Sequence, residues 1–406
     1  MSLTWSFAAP VLLLGLAVPP AFGQSPRLEA AVAAANAVVE KAIKDGQIPG
    51  AEMLIAVDGE VIQNRAFGFA ELNDFDGRRL ANPRPLKTGT LFDLASVTKV
   101  MATTMAMMLL VDRGKVAIDA PVHTYLGDFR GTELDKITVR HLLTHTAGLV
   151  QWQPLYYAAA GKAETYQVIR KMPLKWPVGE GYRYSDLGFM LLGYIVEKVT
   201  SQPLDQFLAE ALYQPMGLRK TTFLPLKHGF TDFAVTESGN GYERHMVYGP
   251  DFGYGYPGDP QSWDGWRRYV LNGEVNDGNA WHANGGVAGH AGLFSTGADL
   301  GVLLGMLLNR GAANGKQVIS AATVGLFLKP GAPLGWRQPD NMPAGAFAHT
   351  GFTGTYVLGV PEARLAFVLL TNRQNMGTDA KGYFTDLGPL QDAAARPLLD
   401  ALLSTK

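Results

Sequence analysis

Phe92-Asp93-Leu94-Ala95-Ser96-Val97-Thr98-Lys99 opens onto an apolar run with helical character, Val100 to Val111. Ser96 and Lys99 stand three residues apart, and residues at i and i+3 share a helix face. The lysine amine can therefore reach the serine hydroxyl. A serine hydroxyl is a poor nucleophile at neutral pH without a base beside it. Burial depresses a lysine pKa, as does the positive end of a helix, and both make Lys99 a proton acceptor. The same spacing also arises when a capping serine precedes a solvated lysine. The pair acquires meaning only through partners elsewhere in the chain.

Two further stretches supply such partners. Tyr184-Ser185-Asp186 follows the turn-rich Trp176-Pro177-Val178-Gly179 and opens an apolar helical stretch, Asp186 to Thr200. Its tyrosine suits a second proton relay. His349-Thr350-Gly351 lies on a strand, where the glycine permits close backbone approach. In this order and at these spacings, the three motifs resemble the serine β-lactamase and penicillin-binding-protein superfamily. The resemblance is closest to class C β-lactamases and the related low-molecular-mass DD-peptidases and esterases. Flanking stretches agree: Phe92 to Ala95, the run Ile137 to Leu149, and Gly289-His290-Ala291-Gly292-Leu293-Phe294-Ser295-Thr296.

The resemblance implies an α+β, β-lactamase/transpeptidase-like fold: an antiparallel sheet flanked by terminal helices, with an inserted all-helical lobe. It implies Ser96 as the acylated nucleophile, with Lys99 and Tyr184 sharing general-base work and Tyr184 protonating the leaving group. The N–H groups of Ser96 and Phe352 would form the oxyanion hole. His349, Thr350 and Gly351 would line the substrate strand, with Asp186 beside Lys99. No cofactor and no metal are implied.

Two positions depart from the superfamily pattern, which often has Lys where this chain has His349 and Asn where it has Asp186. A histidine with an ordinary pKa near 6.5 is mostly neutral at pH 7. Both changes are expected to make the cleft less hospitable to an anionic substrate group, unless Asp186 promotes a protonated His349. Asp186 is also expected to raise the Lys99 pKa and shift base duty towards Tyr184.

The rest of the chain bounds the setting. It has 406 residues and a net charge of −1, with no basic excess for nucleic acid. Residues 1–23 read as a signal peptide: an apolar run within Pro10 to Pro19, then Ala21 and Gly23 before Gln24. Cysteine is absent, which excludes disulfides and thiolate chemistry. Residues 24–406 form one domain, with an α/β lobe at about 24–95 and 330–406 and a helical lobe at about 96–329.

Helices are expected at 28–44, 96–113, 137–147, 186–200, 203–212, 296–308 and 387–404. Strands are expected at 51–57, 61–70, 346–360 and 365–371. Residues 225–285 read as a long structured loop, rich in Tyr, Trp, Gly and Asp. Its aromatics, Tyr248, Tyr254, Tyr256, Trp263 and Trp266, suit either a self-packed surface or a wall of the cleft. His141 and His145 stand at i and i+4, but Leu142 occupies the position where a zincin has Glu. His290 reads as support for a loop near the cleft.

The sequence thus points to an exported, periplasmic or secreted serine hydrolase, cleaving an amide or ester through a Ser96 acyl-enzyme. Its substrate is a small molecule or a peptidoglycan peptide, and peripheral proximity to a membrane is compatible with this. A carboxylesterase acting on neutral esters is the alternative. A penicillin-binding sensor or scaffold without turnover is the reading from another class.

Overall fold

A computed structural model of the protein describes residues 25–249 and 259–403. The expected leader, Tyr254 and Tyr256 lie outside the described residues. The strands are β1 (Gly50–Val57), β2 (Glu60–Asn73), β3 (Arg79–Pro85), β4 (Phe92–Asp93), β5 (Thr222–Phe223), β6 (Leu293–Ser295), β7 (Ala312–Ala313), β8 (Lys316–Gln317), β9 (Phe347–Thr350), β10 (Tyr356–Val360) and β11 (Leu365–Thr371). The α-helices are α1 (Pro26–Lys44), α2 (Met105–Asp112), α3 (Val139–Leu143), α4 (Lys162–Arg170), α5 (Asp186–Thr200), α6 (Leu204–Leu208), α7 (Gly241–Tyr248), α8 (Gly278–Asn284), α9 (Gly297–Leu308), α10 (Ala321–Phe327) and α11 (Gly388–Leu403).

An antiparallel sheet carries the architecture, in the order β3-β2-β1-β11-β10-β9. The β1–β2 hairpin turns at Asp58 and Gly59, both with positive φ, as a tight hairpin requires. Every residue of β1 and β11 is buried, because these central strands are covered on both faces. Alternation sorts their side chains. Met53, Ile55, Phe367 and Leu369 join the core under α1 and α11, while Leu54, Ala56, Val368 and Leu370 join the main core on the other side. Ser25 caps α1 by accepting from the Leu28 N–H, and Pro26 sits in the first turn, where its missing donor costs nothing.

Several segments differ from expectation for local reasons. The apolar run after Ser96 is not one α-helix: residues 95–97 form a 3₁₀ turn, 99–104 are π-helical, and α2 follows. The 137–147 stretch shortens to α3, because the chain leaves the helix at Thr144 and turns through His145 at φ 54°. The 225–285 loop contains α7 and α8. Strand 346–360 breaks into β9 and β10 around a turn at residues 351–354.

Helix α9, expected in the helical lobe, lies instead on β1 and β11. Gly301 permits the approach, since a Cβ there would sit 2.7 Å from Leu54 Cδ2. A small sheet, β4-β6-β5, pairs β4, which leads into the Ser96 turn, with two strands of the insertion. Strands of two or three residues are too short to show a period in sequence.

Candidate active site

The Ser96 turn is held from below. Asp93 accepts from the Ala95 N–H at 2.9 Å and, through its other oxygen, from the Asn276 N–H at 2.6 Å. Burial pushes the Asp93 carboxyl up to about 6, against the pull of these two donors. Ala95 has φ 45°, a left-handed conformation that costs a non-glycine residue about 1–2 kcal/mol. The turn projects Ser96 into a cavity of about 210 Å³ shared with Tyr184, Asp186, Glu243, Asp277 and Phe352.

Ser96 Oγ lies 2.9 Å from Lys99 Nζ and 2.9 Å from Tyr184 Oη. Lys99 is fully buried. Its amine also lies 2.7 Å from Asp186 Oδ1 and donates to the His290 carbonyl at 3.1 Å. The amine thus has two hydrogen-bond acceptors, Ser96 Oγ and the His290 carbonyl, and an ion-pair partner in Asp186. Burial pulls the Lys99 pKa down, but the Asp186 carboxylate and Tyr184 outweigh it and hold the amine above its ordinary value. Burial pushes the Tyr184 phenol up, and the Lys99 charge offsets only part of that. At rest the pair is ammonium and neutral phenol. The depressed lysine expected from burial and a helix terminus is therefore reversed by Asp186.

His145 positions Tyr184. Its Nδ1 accepts from the Ser185 N–H at 3.0 Å and its carbonyl accepts from the Arg183 N–H at 2.7 Å. Its ring packs 4.5 Å from the Tyr184 ring. Burial, and then the Lys99 charge, hold the imidazole well below its usual pKa. His141 does separate work: its Nδ1 accepts from the Thr138 N–H at 3.2 Å and closes the cap of α3. The two rings do not share a helix face, because the helix ends between them.

β9 is an edge strand of the main sheet and borders the Ser96 turn. Thr353 and Thr355 donate to the carbonyls of Asp93 at 2.7 Å and Leu94 at 2.9 Å, tying strand to turn. A Cβ on Gly351 would meet Thr355 Oγ1 at 2.1 Å and the Leu94 carbonyl at 2.4 Å, so the close approach requires glycine. Among the described residues, neither the Ser96 nor the Phe352 N–H donates to a protein acceptor. The Phe352 carbonyl is gripped by Arg373, through Nη2 at 2.7 Å and Nε at 3.1 Å.

His349 is buried, with Nδ1 2.8 Å from the Thr350 carbonyl. Burial, and then the charges of Lys99 and Arg337, lower its pKa to about 3. It is neutral at pH 7, and Asp186 does not promote its protonation. The exposed Arg337 places its guanidinium 5.1 Å over the Tyr184 ring, from a backbone pairing with Ala348. A positive charge absent from the strand motif thus returns beside the site on a neighbouring segment.

Residues 35–387 match the Beta-lactamase family model. The chain belongs to that family. N-acetylmuramyl-L-alanine amidase of Bacillus subtilis (strain 168) is 34% identical over 369 residues, covering 83% of this chain and 80% of the relative. A protein of Escherichia coli O157:H7 with the provisional name D-alanyl-D-alanine carboxypeptidase is 34% identical over 361 residues, covering 81% and 79%. Among solved structures, EstCE1, a hydrolase with promiscuous acyltransferase activity, superposes with a TM-score of 0.65 at 23% identity, covering 91% of this chain and all of that one.

The three motifs of this β-lactamase-family chain converge as its sequence implied. Arg337, Glu243 and Asp277 come from separate segments, belong to no spaced motif and carried no legible signal. His145 lay within the matching run Ile137 to Leu149, but its support of Tyr184 was not legible there. The aromatic stretch divides. Tyr242, Glu243 and Met246 of α7 line the cavity, whereas Trp263 and Trp266 pack at 4.6 Å on each other, and Trp263 packs at 4.7 Å on Tyr156.

Proposed function

We propose that the protein is an exported acyl hydrolase of the DD-carboxypeptidase and β-lactamase type, acting on an amide whose leaving portion carries a carboxylate. One observation carries this reading: Ser96 Oγ sits 2.9 Å from both an ammonium and a phenol inside a cavity. Tyr184 works as a neutral relay. It takes the Ser96 proton as its own proton passes to the leaving nitrogen, so no free phenolate accumulates. Lys99 stays charged and stabilises the negative charge that develops on Ser96 and Tyr184. The Ser96 and Phe352 N–H groups receive the carbonyl oxygen as it becomes an oxyanion. Water then enters by the reverse relay, and the Ser96 ester is hydrolysed.

Arg337 supports a carboxylate-bearing substrate, as do the names of the amidase and carboxypeptidase relatives. A carboxylesterase is the second reading. It is favoured by the neutral His349, which removes a charge from the substrate strand, and by the likeness to EstCE1. Residues 1–23 support export to a periplasm or beyond, which an N-terminal Gln24 on the mature protein would mark.

Intact-mass spectrometry of wild type and Ser96→Ala, with a penicillin and with p-nitrophenyl acetate, tests the proposal. A transient adduct on wild type alone supports turnover. A persistent penicillin adduct points to a sensor that acylates once and stalls. The absence of any adduct or product with either compound overturns the hydrolase reading.

A further inference from the structure

Arg337 lies over the ring of Tyr184, the group that delivers a proton to the leaving atom. Asp277, just before α8, lines the cavity together with Ser96 and Tyr184. Its Oδ1 is fully used: it accepts from the Ala280 N–H at 2.7 Å as the cap of α8, and lies 2.9 Å from His290 Nε2. Among the described residues its Oδ2 has no protein donor, and the side chain keeps 19% of its surface open. A capping role explains one oxygen only, and Asn or Ser would serve it as well.

Among the described residues no Lys or Arg side chain contacts that oxygen, although against burial His290 and then the Ala280 N–H and the Lys99 charge hold the Asp277 carboxyl below its ordinary pKa. Lys99 is committed to Asp186. Arg267 is buried and satisfied by Asn240, Glu274 and the carbonyls of Val275 and Asn276. His290 contacts Oδ1 alone. The neighbouring Glu243 is occupied at both oxygens, by the Gly278 N–H at 2.6 Å and the Tyr156 hydroxyl at 2.9 Å. Burial pushes Glu243 up to about 8, so it is mostly neutral at pH 7. Among the described lining residues, Asp277 thus brings a carboxylate to the cavity beside the mostly neutral Glu243. Tyr242, Met246 and Trp152 line the same space and suit the alkyl stem and face of an organic cation. Among the described residues, no group of three or more His, Asp or Glu side chains is arranged to hold a metal ion, which favours an ammonium over a metal as the partner.

We propose that Asp277 is a specificity-determining residue whose free carboxylate oxygen receives a protonated amine on the acyl portion of the substrate. The proposal rests on the hydrolase reading above. The preferred substrate then carries opposite charges about its scissile bond: an ammonium on the acyl side and a carboxylate on the leaving side. An amino-acyl peptide with a free amine has this chemistry, whereas an N-acylated one lacks the cation.

The test uses the intact protein with ω-amino acyl p-nitroanilides of increasing chain length, each beside its N-acetyl counterpart. For at least one chain length, wild type is expected to show a kcat/KM ratio of free amine to N-acetyl of about ten, the factor that corresponds to about 1.4 kcal/mol. In Asp277→Asn, which retains a capping oxygen, that ratio is expected to fall to near one. Asp277→Ser, which also caps, provides a second variant should the first fold poorly. Raising the salt should erode the wild-type preference, because it screens the charge. A wild-type ratio of one at every length, or a ratio unchanged in the folded variant, overturns the proposal. Cleavage of neither member also overturns it. Acylation of Ser96 by p-nitrophenyl acetate then shows whether the hydrolase reading survives.

Discussion

Gly351→Ala adds one methyl group where the substrate strand touches the nucleophile turn. The added carbon would lie 2.1 Å from Thr355 Oγ1 and 2.4 Å from the Leu94 carbonyl oxygen. Ordinary carbon–oxygen contact begins about 1 Å further out, so strand and turn must separate by roughly that much. The Thr355 side chain can rotate away, at the loss of its bond to Leu94 and about 1–3 kcal/mol for a buried polar group left unpaired. The Leu94 carbonyl is backbone and cannot rotate away. Overpacking of this kind costs about 1–3 kcal/mol in itself. A displacement near 1 Å between nucleophile and oxyanion donors lowers kcat about a hundredfold. Steady-state hydrolysis of p-nitrophenyl acetate, beside a thermal melt, measures both effects. Thr355→Ala in the same chain should not rescue the rate, because the backbone clash persists. A Gly351→Ala enzyme within threefold of wild-type kcat would refute the claimed contact between strand and turn.

Three further outcomes are expected. Asp186→Asn removes the carboxylate that holds the Lys99 ammonium, so the alkaline limb of the pH–rate profile should move to lower pH; an unmoved limb counts against a charged Lys99 in catalysis. His349 has its folded pKa depressed to about 3 from 6.5, so the stability of the neutral ring is present above pH 6.5 and lost as pH falls towards 3. His349→Gln should lose about 3 kcal/mol less than wild type between pH 7 and pH 4 in urea unfolding, and equal losses would reject the assignment. Arg337→Gln should lower kcat/KM for a penicillin about tenfold relative to p-nitrophenyl acetate, the loss of roughly one charge-assisted contact; a constant ratio would remove Arg337 from substrate recognition.

The legible part of this protein is the part with local periodicity or fixed spacing. Ser96 and Lys99 report their own contact, since the 3₁₀ turn at residues 95–97 and the helical Thr98 keep residues three apart on one side. α5 and β11 match the sequence to the residue, because an Asx- or Ser-type cap and a continuous apolar run mark their ends. β4, β5 and β6 were invisible, being two or three residues long. Arg337 could not be found because it depends on a backbone pairing between residues 337 and 348, which no spacing rule encodes. The resting charge of Lys99 was undecided in sequence for a related reason. It depends on whether Asp186 reaches 2.7 Å or stays apart, and burial alone predicts the opposite sign.

The sheet order has a consequence for how the molecule is assembled. β1 is paired with β11, and Asn375 accepts from the N–H groups of Leu72 and Asn73, 303 and 302 residues away. The hairpin made first therefore waits for the last quarter of the chain before its inner edge is closed. Contacts of such sequence separation are slow to form, because the loop entropy must be overcome before they stabilise anything. Until then β1 presents eight residues that end fully buried, with an unpaired edge of the kind that recruits other strands. A chain truncated before residue 365 should accordingly be not a weaker enzyme but an aggregating one.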